Sequence, residues 1–173
     1  MNTLIKKELK ESEYNQIYKI LSKCDQDFVP PLSTRCSCDT MVFEKNQSEN
    51  SNIKQYFDSI FLIPRIFFME YVKNENQFHS FAVTTPKWSS YELYINIFCV
   101  ESNYRHMGLG KNLIFEVISY AKLHNYNKIM TRTWSTNHNQ LSLLKKFNFK
   151  EKICTAEVRK KDVYSVYCEY TIR

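Results

Sequence analysis

The stretch Phe98-Cys99-Val100-Glu101-Ser102-Asn103-Tyr104-Arg105-His106-Met107-Gly108-Leu109-Gly110-Lys111 decides the fold of this chain. The 173 residues hold only two glycines. Average usage would give roughly twelve in a chain of this length. Both fall here, in Arg105-x-x-Gly108-x-Gly110. Glycine lets a backbone take positive φ or approach a ligand closely, so a chain that avoids it elsewhere has a backbone task at this point. Upstream, Tyr91 to Val100 is an aromatic and β-branched run that reads as a strand. Downstream, Leu113, Ile114, Val117, Ile118 and Ala121 recur at helical spacing. The glycines therefore lie in a strand-to-helix turn, which aims free N–H groups and the positive end of the helix dipole at one point, suited to a phosphate. A P-loop is excluded, because Gly110-Lys111 is followed by Asn112. A dinucleotide fingerprint is excluded as well, because Leu113 stands where its third glycine belongs and Met130 where its acidic residue belongs.

Val100, Arg105, Gly108 and Gly110 together resemble the pyrophosphate loop of the GNAT acyltransferases, which bind acetyl-CoA. A second block, Asn137 to Phe149, is similar to that family's later segment without a gap, matching at Asn137, Leu143 and Phe149. It departs at Leu144, where the family usually has Tyr, and at Asn148, where it has Gly. Asn is the next-best residue for a left-handed helix end, so the second change is mild. The first removes a hydroxyl. The resemblance implies an α/β (α+β) fold: a mixed, mostly antiparallel central sheet flanked by helices, in a single GNAT domain over residues 1–173. Two strands, ending at Val100 and Trp134, are expected to splay apart at the acetyl-CoA site.

Composition sets the outer bounds. The length suits one domain with a real core. No run of 18 apolar residues is present, so no helical membrane span is expected. The first residues lack the apolar region of a secretory signal, which predicts a cytoplasmic protein, and the family resemblance suggests a bacterial one. Six cysteines, at 24, 36, 38, 99, 154 and 168, then read as reduced thiols rather than disulfides. Cys36-x-Cys38 lacks the spacing of a zinc site, so no metal is expected. The net charge of +6 is uneven. Residues 1–86 carry 10 Lys/Arg and 11 Asp/Glu, and residues 87–173 carry 14 and 7, giving −1 and +7. The basic half is the half with the phosphate loop, as an anionic co-substrate requires. No basic cluster interleaves with aromatics in a nucleic-acid motif.

Along the chain, Thr3 to Leu9 reads as a strand, and Ser12 as the N-cap of a helix with Ile17, Ile20, Leu21 and Cys24 on one face. Asp25 to Arg35 contains Pro30 and Pro31, which stiffen it. In the GNAT fold the loop after the first helix lines the acceptor site. The residues equally suit a rigid connector that packs Phe28 and Leu32 into the core. Lys45 to Asn52 is polar and reads as a mobile loop, and Ile53, Phe57, Ile60 and Phe61 mark a helix ended by Pro64. Arg65 to Val72 and Gln77 to Thr85 read as strands joined by a turn at 73–76, with a connector from Pro86 to Ser90. On the central strand, Leu93, Ile95, Ile97 and Cys99 form the core face; Glu92, Tyr94, Asn96 and Phe98 form the other. A helix over Lys111 to His124, a strand over Lys128 to Trp134, a helix over Gln140 to Phe147 and strands over Phe149 to Thr155 and Val163 to Ile172 complete the order.

Acetyl transfer needs a held thioester, a neutral amine and a stabilised thiolate. The resemblance implies that backbone N–H groups of His106, Met107, Gly108, Leu109, Gly110 and Lys111, in the loop begun by Arg105, hold the pyrophosphate. It also implies that the strand at Phe98, Cys99 and Val100 pairs with the pantetheine amides, and that Asn137 reaches the same arm. Glu92 is the candidate base, with Asn96 holding a water beside it; His79 and His138 are weaker candidates. Tyr104, Ser135 or Ser142 could supply the hydroxyl that Leu144 lacks, or the thiolate leaves unassisted. Phe28, Arg35 and Trp134 are candidate substrate contacts. Phe28 to Arg35, with Thr133 to Asn137, is similar to GNAT proteins among bacterial surface-sugar enzymes. The expected activity is acetyl-CoA-dependent (or other acyl-CoA-dependent) N-acylation of a small-molecule amine, such as a nucleotide-linked amino sugar. The alternatives are a protein or peptide N-acetyltransferase and a non-catalytic acyl-CoA-binding domain. A homodimer is compatible with all three.

Overall fold

In a computed structural model the described residues are 2–34, 58, 64–72, 75, 77–87 and 90–173, with backbone alone at 2 and 152–160. The elements are β1 (Asn2–Lys6), α1 (Glu11–Lys23), β2 (Ile66–Tyr71), β3 (Phe78–Lys87), β4 (Glu92–Val100), α2 (Leu109–Leu123), β5 (Lys128–Trp134), α3 (His138–Lys146), β6 (Lys150–Lys160) and β7 (Val163–Thr171). The strands form one seven-stranded sheet in the order β1-β2-β3-β4-β5-β7-β6. Every neighbouring pair is antiparallel except β4 with β5. The mixed, mostly antiparallel sheet flanked by helices is the expected fold class. Among the described residues, no helix is long and apolar enough to cross a membrane.

The helices cover opposite faces. Ile17, Ile20 and Leu21 of α1 pack on Phe67, Met69, Phe81 and Val83. Leu113, Ile114, Val117 and Ala121 of α2 pack on Ile66, Phe68 and Ala82. The alternation 66/68 against 67/69 is the period of two that lets β2 feed both cores. Phe68 and Phe81 have no exposed surface, and truncating such a side chain to Ala costs about 3–5 kcal/mol.

Four local expectations are corrected. The N-cap of α1 is Lys10, not Ser12. Glu13 reaches back to the Lys10 N–H at 2.8 Å and also holds Lys6 Nζ at 2.5 Å, so an acidic residue in the first turn does the capping. The first strand ends at Lys6. Pro86 and Lys87 are strand, paired with Leu93 and Glu92; near a strand end one missing donor costs little. The helix after the glycine loop begins at Leu109, so Gly110 is already helical. All of the helix read over 53–61 except Asp58, the polar loop 45–52, Arg35 and most of the 73–76 turn lie outside the described residues.

A shift of register in β4 matters for the site. Val83 pairs with Ile97, but Thr84 pairs with Ile95, which leaves Asn96 as a bulge. A bulge inserts one residue and reverses the parity of the strand beyond it. Leu93 and Ile95 therefore join the core under α2, whereas Ile97 and Cys99 join the core under α1. All four are buried as expected, but on two faces rather than one.

Candidate active site

The loop after β4 is built for exposed backbone donors. It opens with a 3-10 turn over Ser102–Tyr104 and reaches α2 through Gly108, its N-cap, at φ 88° and ψ −6°. That left-handed conformation costs an L side chain roughly 1–2 kcal/mol, which is why a glycine stands there. His106 shares it at φ 64°. The first i→i−4 bond of α2 runs from Asn112 N to Gly108 O at 3.0 Å. The N–H groups of Leu109, Gly110 and Lys111 precede it and have no helical acceptor. They point out of the positive end of a 15-residue helix, an arrangement that attracts phosphate oxygens.

Gly110 has a different task. A Cβ there would lie 3.3 Å from Leu143 Cδ2, 3.4 Å from Phe98 Cζ and 3.5 Å from Val100 Cγ2. Its missing side chain lets the first turn of α2 settle onto β4 and α3. The Arg105 side chain turns away from the donors. Its Nε donates to Val100 O at 3.1 Å, and its Nη2 pairs with Asp27 and meets Cys24 Sγ at 3.9 Å. Arg105 thereby ties the loop to the end of α1.

Beside the loop the sheet forks. β4 and β5 pair from Glu92↔Lys128 to Ile95↔Thr131 and no further. Beyond that rung β4 keeps its bonds to β3 as far as Val100↔Ser80. β5 keeps its bonds to β7 as far as Trp134↔Ser165. Each strand follows its outer partner, so the two separate. Among the described residues no strand pairs with the inner edge of β4 past Ile95, where an extended ligand can add as a strand would, up to the Val100 carbonyl that Arg105 Nε already engages. At the mouth, the Phe28 and Trp134 rings lie 6.1 Å apart, tilted by 49°. The loop carrying Phe28 is closed by Asp25, which accepts from Ser33 N at 2.8 Å and Ser33 Oγ at 2.7 Å. Leu32 is buried in the core while Phe28 is half-buried at the fork, so the loop serves as both connector and wall.

A glycine-capped helix N-terminus beside a forked parallel pair is the arrangement that the GNAT resemblance implies, and the acetyltransferase (GNAT) family model matches residues 15–149. The chain belongs to the GNAT acetyltransferase family. It is an acetyl-CoA-dependent N-acetyltransferase. No curated protein matches it. Among solved structures it is similar to the ribosomal-protein-S18-alanine N-acetyltransferase of Escherichia coli, with TM-score 0.69, 16% identity, and 99% of this chain and 94% of that one covered. It is also similar to a chain of the NatC complex bound to Gag peptide and CoA, with TM-score 0.63, 17% identity and full coverage of both. A third likeness, to a Bacillus anthracis structure described as a streptothricin acetyltransferase in complex with acetyl coenzyme A, has TM-score 0.52 and 23% identity and covers 62% of each chain. At these identities the likeness is one of fold.

In this GNAT enzyme the fork gathers some of the residues singled out from sequence and leaves others apart. Phe98 and Val100 meet Gly110, two residues past the Gly108 cap, and Phe28 meets Trp134. Cys99 points the other way, buried against α1. Glu92 does not reach the fork. It begins β4 at the closed, paired end and faces Lys128 Nζ at 3.8 Å, which Glu169 also holds at 3.1 Å. Asn96 lies four residues further on, about 13 Å at strand rise, beyond the reach of one bridging water. Asn96 itself accepts from Thr85 Oγ1 at 2.5 Å and Arg65 Nη1 at 3.4 Å. Tyr104 sits in the 3-10 turn at the start of the loop, stacked on His79 with its hydroxyl 3.3 Å from Glu75. Asn137 caps α3, accepting from Gln140 N at 3.3 Å, and donates to Thr133 Oγ1 at 2.9 Å. Leu144 is 1% exposed in the core under α2. Ser135 Oγ accepts from Tyr164 N at 3.1 Å.

Sequence reasoning did not find the network behind the loop. Glu101 is buried between Lys23, which it pairs with, and His79 Nδ1 at 3.0 Å. Burial pushes its carboxyl up, but the hydrogen bonds from Lys23 and His79 outweigh this and hold it below the ordinary carboxylate value. Beside Arg105, Cys24 and Cys99 are hydrogen-bonded, with the Cys24 thiol drawn down and the buried Cys99 thiol pushed up. The one sequence signal for this network was polar residues, Glu101 and His79, at the ends of apolar strands.

Proposed function

We propose that this GNAT enzyme acetylates a small-molecule amine seated against Phe28 and Trp134, with the amino group of a nucleotide-linked sugar as the acceptor that fits best. The observation that carries this reading is the aromatic pair. Two rings contributed by β5 and a stiffened loop stand 6.1 Å apart at the mouth of the fork, a spacing at which a flat sugar face or base adds to the stack. Arg132 lies two residues before Trp134 on the same side of β5, over the Tyr167 ring at 5.9 Å. With the excess of basic residues in the second half of the chain, it suits an acceptor carrying phosphate. Arg35 remains a candidate phosphate partner from its place after the two prolines.

In this reading acetyl-CoA lies with its diphosphate on the N–H groups from His106 to Lys111 and its pantetheine arm along Phe98 to Val100. The thioester then falls near the Asn96 bulge. The amine nitrogen attacks the thioester carbonyl, the C–S bond breaks and the thiolate leaves. Asn96 holds the water that takes the amine proton, since Glu92 stands too far off to take it directly. Leu144 offers no proton to the thiolate, so the leaving group takes one from solvent.

The test is release of free CoA with a panel of amines, comparing an amino-sugar nucleotide with the same sugar lacking its diphosphate. Wild type should prefer the nucleotide form. Trp134→Ala should raise KM for the acceptor far more than for acetyl-CoA, and Arg35→Ala should lose most of the preference. Equal rates on both sugars, or faster acetylation of a peptide amine, would remove the reading.

A further inference from the structure

We propose that His79 is a positioning residue for the acetyl-CoA loop: an imidazolium clamped between Glu75 and Glu101 that holds the start of the loop in its binding form. This rests on the reading of residues 105–111 as the diphosphate site.

His79 is 7% exposed, near the start of β3. Its Nε2 lies 2.5 Å from Glu75 Oε2 and its Nδ1 lies 3.0 Å from Glu101 Oε2. An ionised carboxylate only accepts hydrogen bonds. An imidazole that satisfies two carboxylates must donate from both nitrogens, which only the protonated ring can do. Lys23 occupies the other oxygen of Glu101, which keeps that carboxylate ionised. The Tyr104 ring stacks on the imidazole at 3.6 Å and 9°, a contact that positive charge strengthens. The Tyr104 hydroxyl closes the circuit on Glu75 at 3.3 Å. Among the described residues, the charged and titratable groups facing His79 are thus Glu75 before β3, Glu101 after β4, Tyr104 in the 3-10 turn and, through Glu101, Lys23 at the end of α1.

The clamp bears on the loop through the backbone. Glu101 N donates to His79 O at 2.9 Å, Tyr104 N to Glu101 O at 2.9 Å, and Arg105 N to Ser102 O at 3.3 Å. The segment that launches the chain toward Gly108 is therefore fixed at both of its ends by groups that touch His79. Loss of the imidazole proton turns a lone pair toward one carboxylate. The two are unequal: the Glu101 side chain is 7% exposed and Glu75 40%. Glu75 is the one that swings into water, and it releases the Tyr104 hydroxyl as it goes. Protonation is thereby coupled to loop order, without His79 touching acetyl-CoA.

The test is calorimetric titration of the full chain with acetyl-CoA from neutral to alkaline pH, in wild type, His79→Gln and Glu75→Gln. Wild-type affinity should fall about tenfold or more as pH rises, the size of one charged hydrogen bond lost. Glu75→Gln should flatten that fall, because an amide pairs with either form of the ring. His79→Gln should bind weakly at every pH, with the loss in KM for acetyl-CoA rather than in kcat. If that variant does not fold, the exposed Glu75→Gln still decides. An alkaline fall of the same size in wild type and Glu75→Gln would overturn the proposal. Imidazole NMR of the ligand-free protein gives an independent reading: both His79 nitrogens should carry protons at neutral pH, and one bare nitrogen overturns the clamp. Wild type that binds no acetyl-CoA would overturn the function proposed above, while the spectra would still report the clamp.

Discussion

Thr131 Oγ1 donates to Ile95 O at 3.1 Å, on the last rung that β4 and β5 share. Both residues are buried, at 2% exposure each. The bond joins the strands at the point where they part, so it sets where the fork begins. Thr131→Val keeps the shape and removes the donor. We expect a loss of about 1–2 kcal/mol from the buried bond, with weaker acetyl-CoA binding as the apex loosens. Chemical denaturation and calorimetry check this; unchanged affinity would mean that the outer partners alone hold the fork.

The two glycines should respond differently to alanine. Gly108→Ala places a side chain at φ 88°, at a cost of roughly 1–2 kcal/mol, and displaces the donors, so stability and acetyl-CoA affinity should both fall. Gly110→Ala sits in a helix, where Ala is favoured by about 1 kcal/mol. Its Cβ would press on Leu143 at 3.3 Å and on Phe98 at 3.4 Å. Stability should therefore stay within about 1 kcal/mol of wild type, while affinity falls because the Leu143 and Phe98 side chains are displaced beside the edge proposed for the pantetheine arm. Equal stability losses in the two variants would contradict this separation.

Leu144→Tyr brings in the residue that the family usually has. The site is 1% exposed and packed into the core under α2. Overpacking there costs typically about 1–3 kcal/mol, and the new hydroxyl would need a partner. We expect a lower Tm and no gain in turnover. A faster enzyme with an unchanged Tm would show that the ring reaches the fork and that thiolate protonation limits the rate.

Acid should weaken the fold through Glu101. Its folded pKa lies below the ordinary value of 4.5, because Lys23 and His79 hydrogen bonds outweigh the opposing effect of burial. The unfolded chain therefore takes up the proton first as pH falls. The stabilisation is complete above about pH 4.5 and is lost as pH drops through the folded pKa. Glu13, lowered by Lys6 and the Lys10 N–H against its own burial, acts in the same direction. Thermal melts across the acid range should show Glu101→Gln losing less stability than wild type. Parallel curves would assign the acid sensitivity elsewhere.

Sequence by itself determined the elements and the loop. Helical spacing marked the buried faces of α1 and α2, an aromatic and β-branched run with two alternating faces marked β4, and two glycines in three residues marked the left-handed cap and the close approach. Those signals are local: each depends on residues within a turn or a strand of one another. Tertiary structure alone decided the rest. The Asn96 bulge exists only in the register of β4 against β3, and it sends Ile97 to the opposite core from Ile95. The parallel register of β4 with β5 closes the sheet at Glu92 and opens it past Ile95, so Glu92, read from the sequence as a candidate base, lies at the paired end away from the fork. Phe28 meets Trp134, and His79 meets Glu101, across stretches of chain that no periodicity spans. Pairing between distant strands is fixed by the packing of whole faces, and a residue's own neighbours in sequence do not encode which strand will lie beside it.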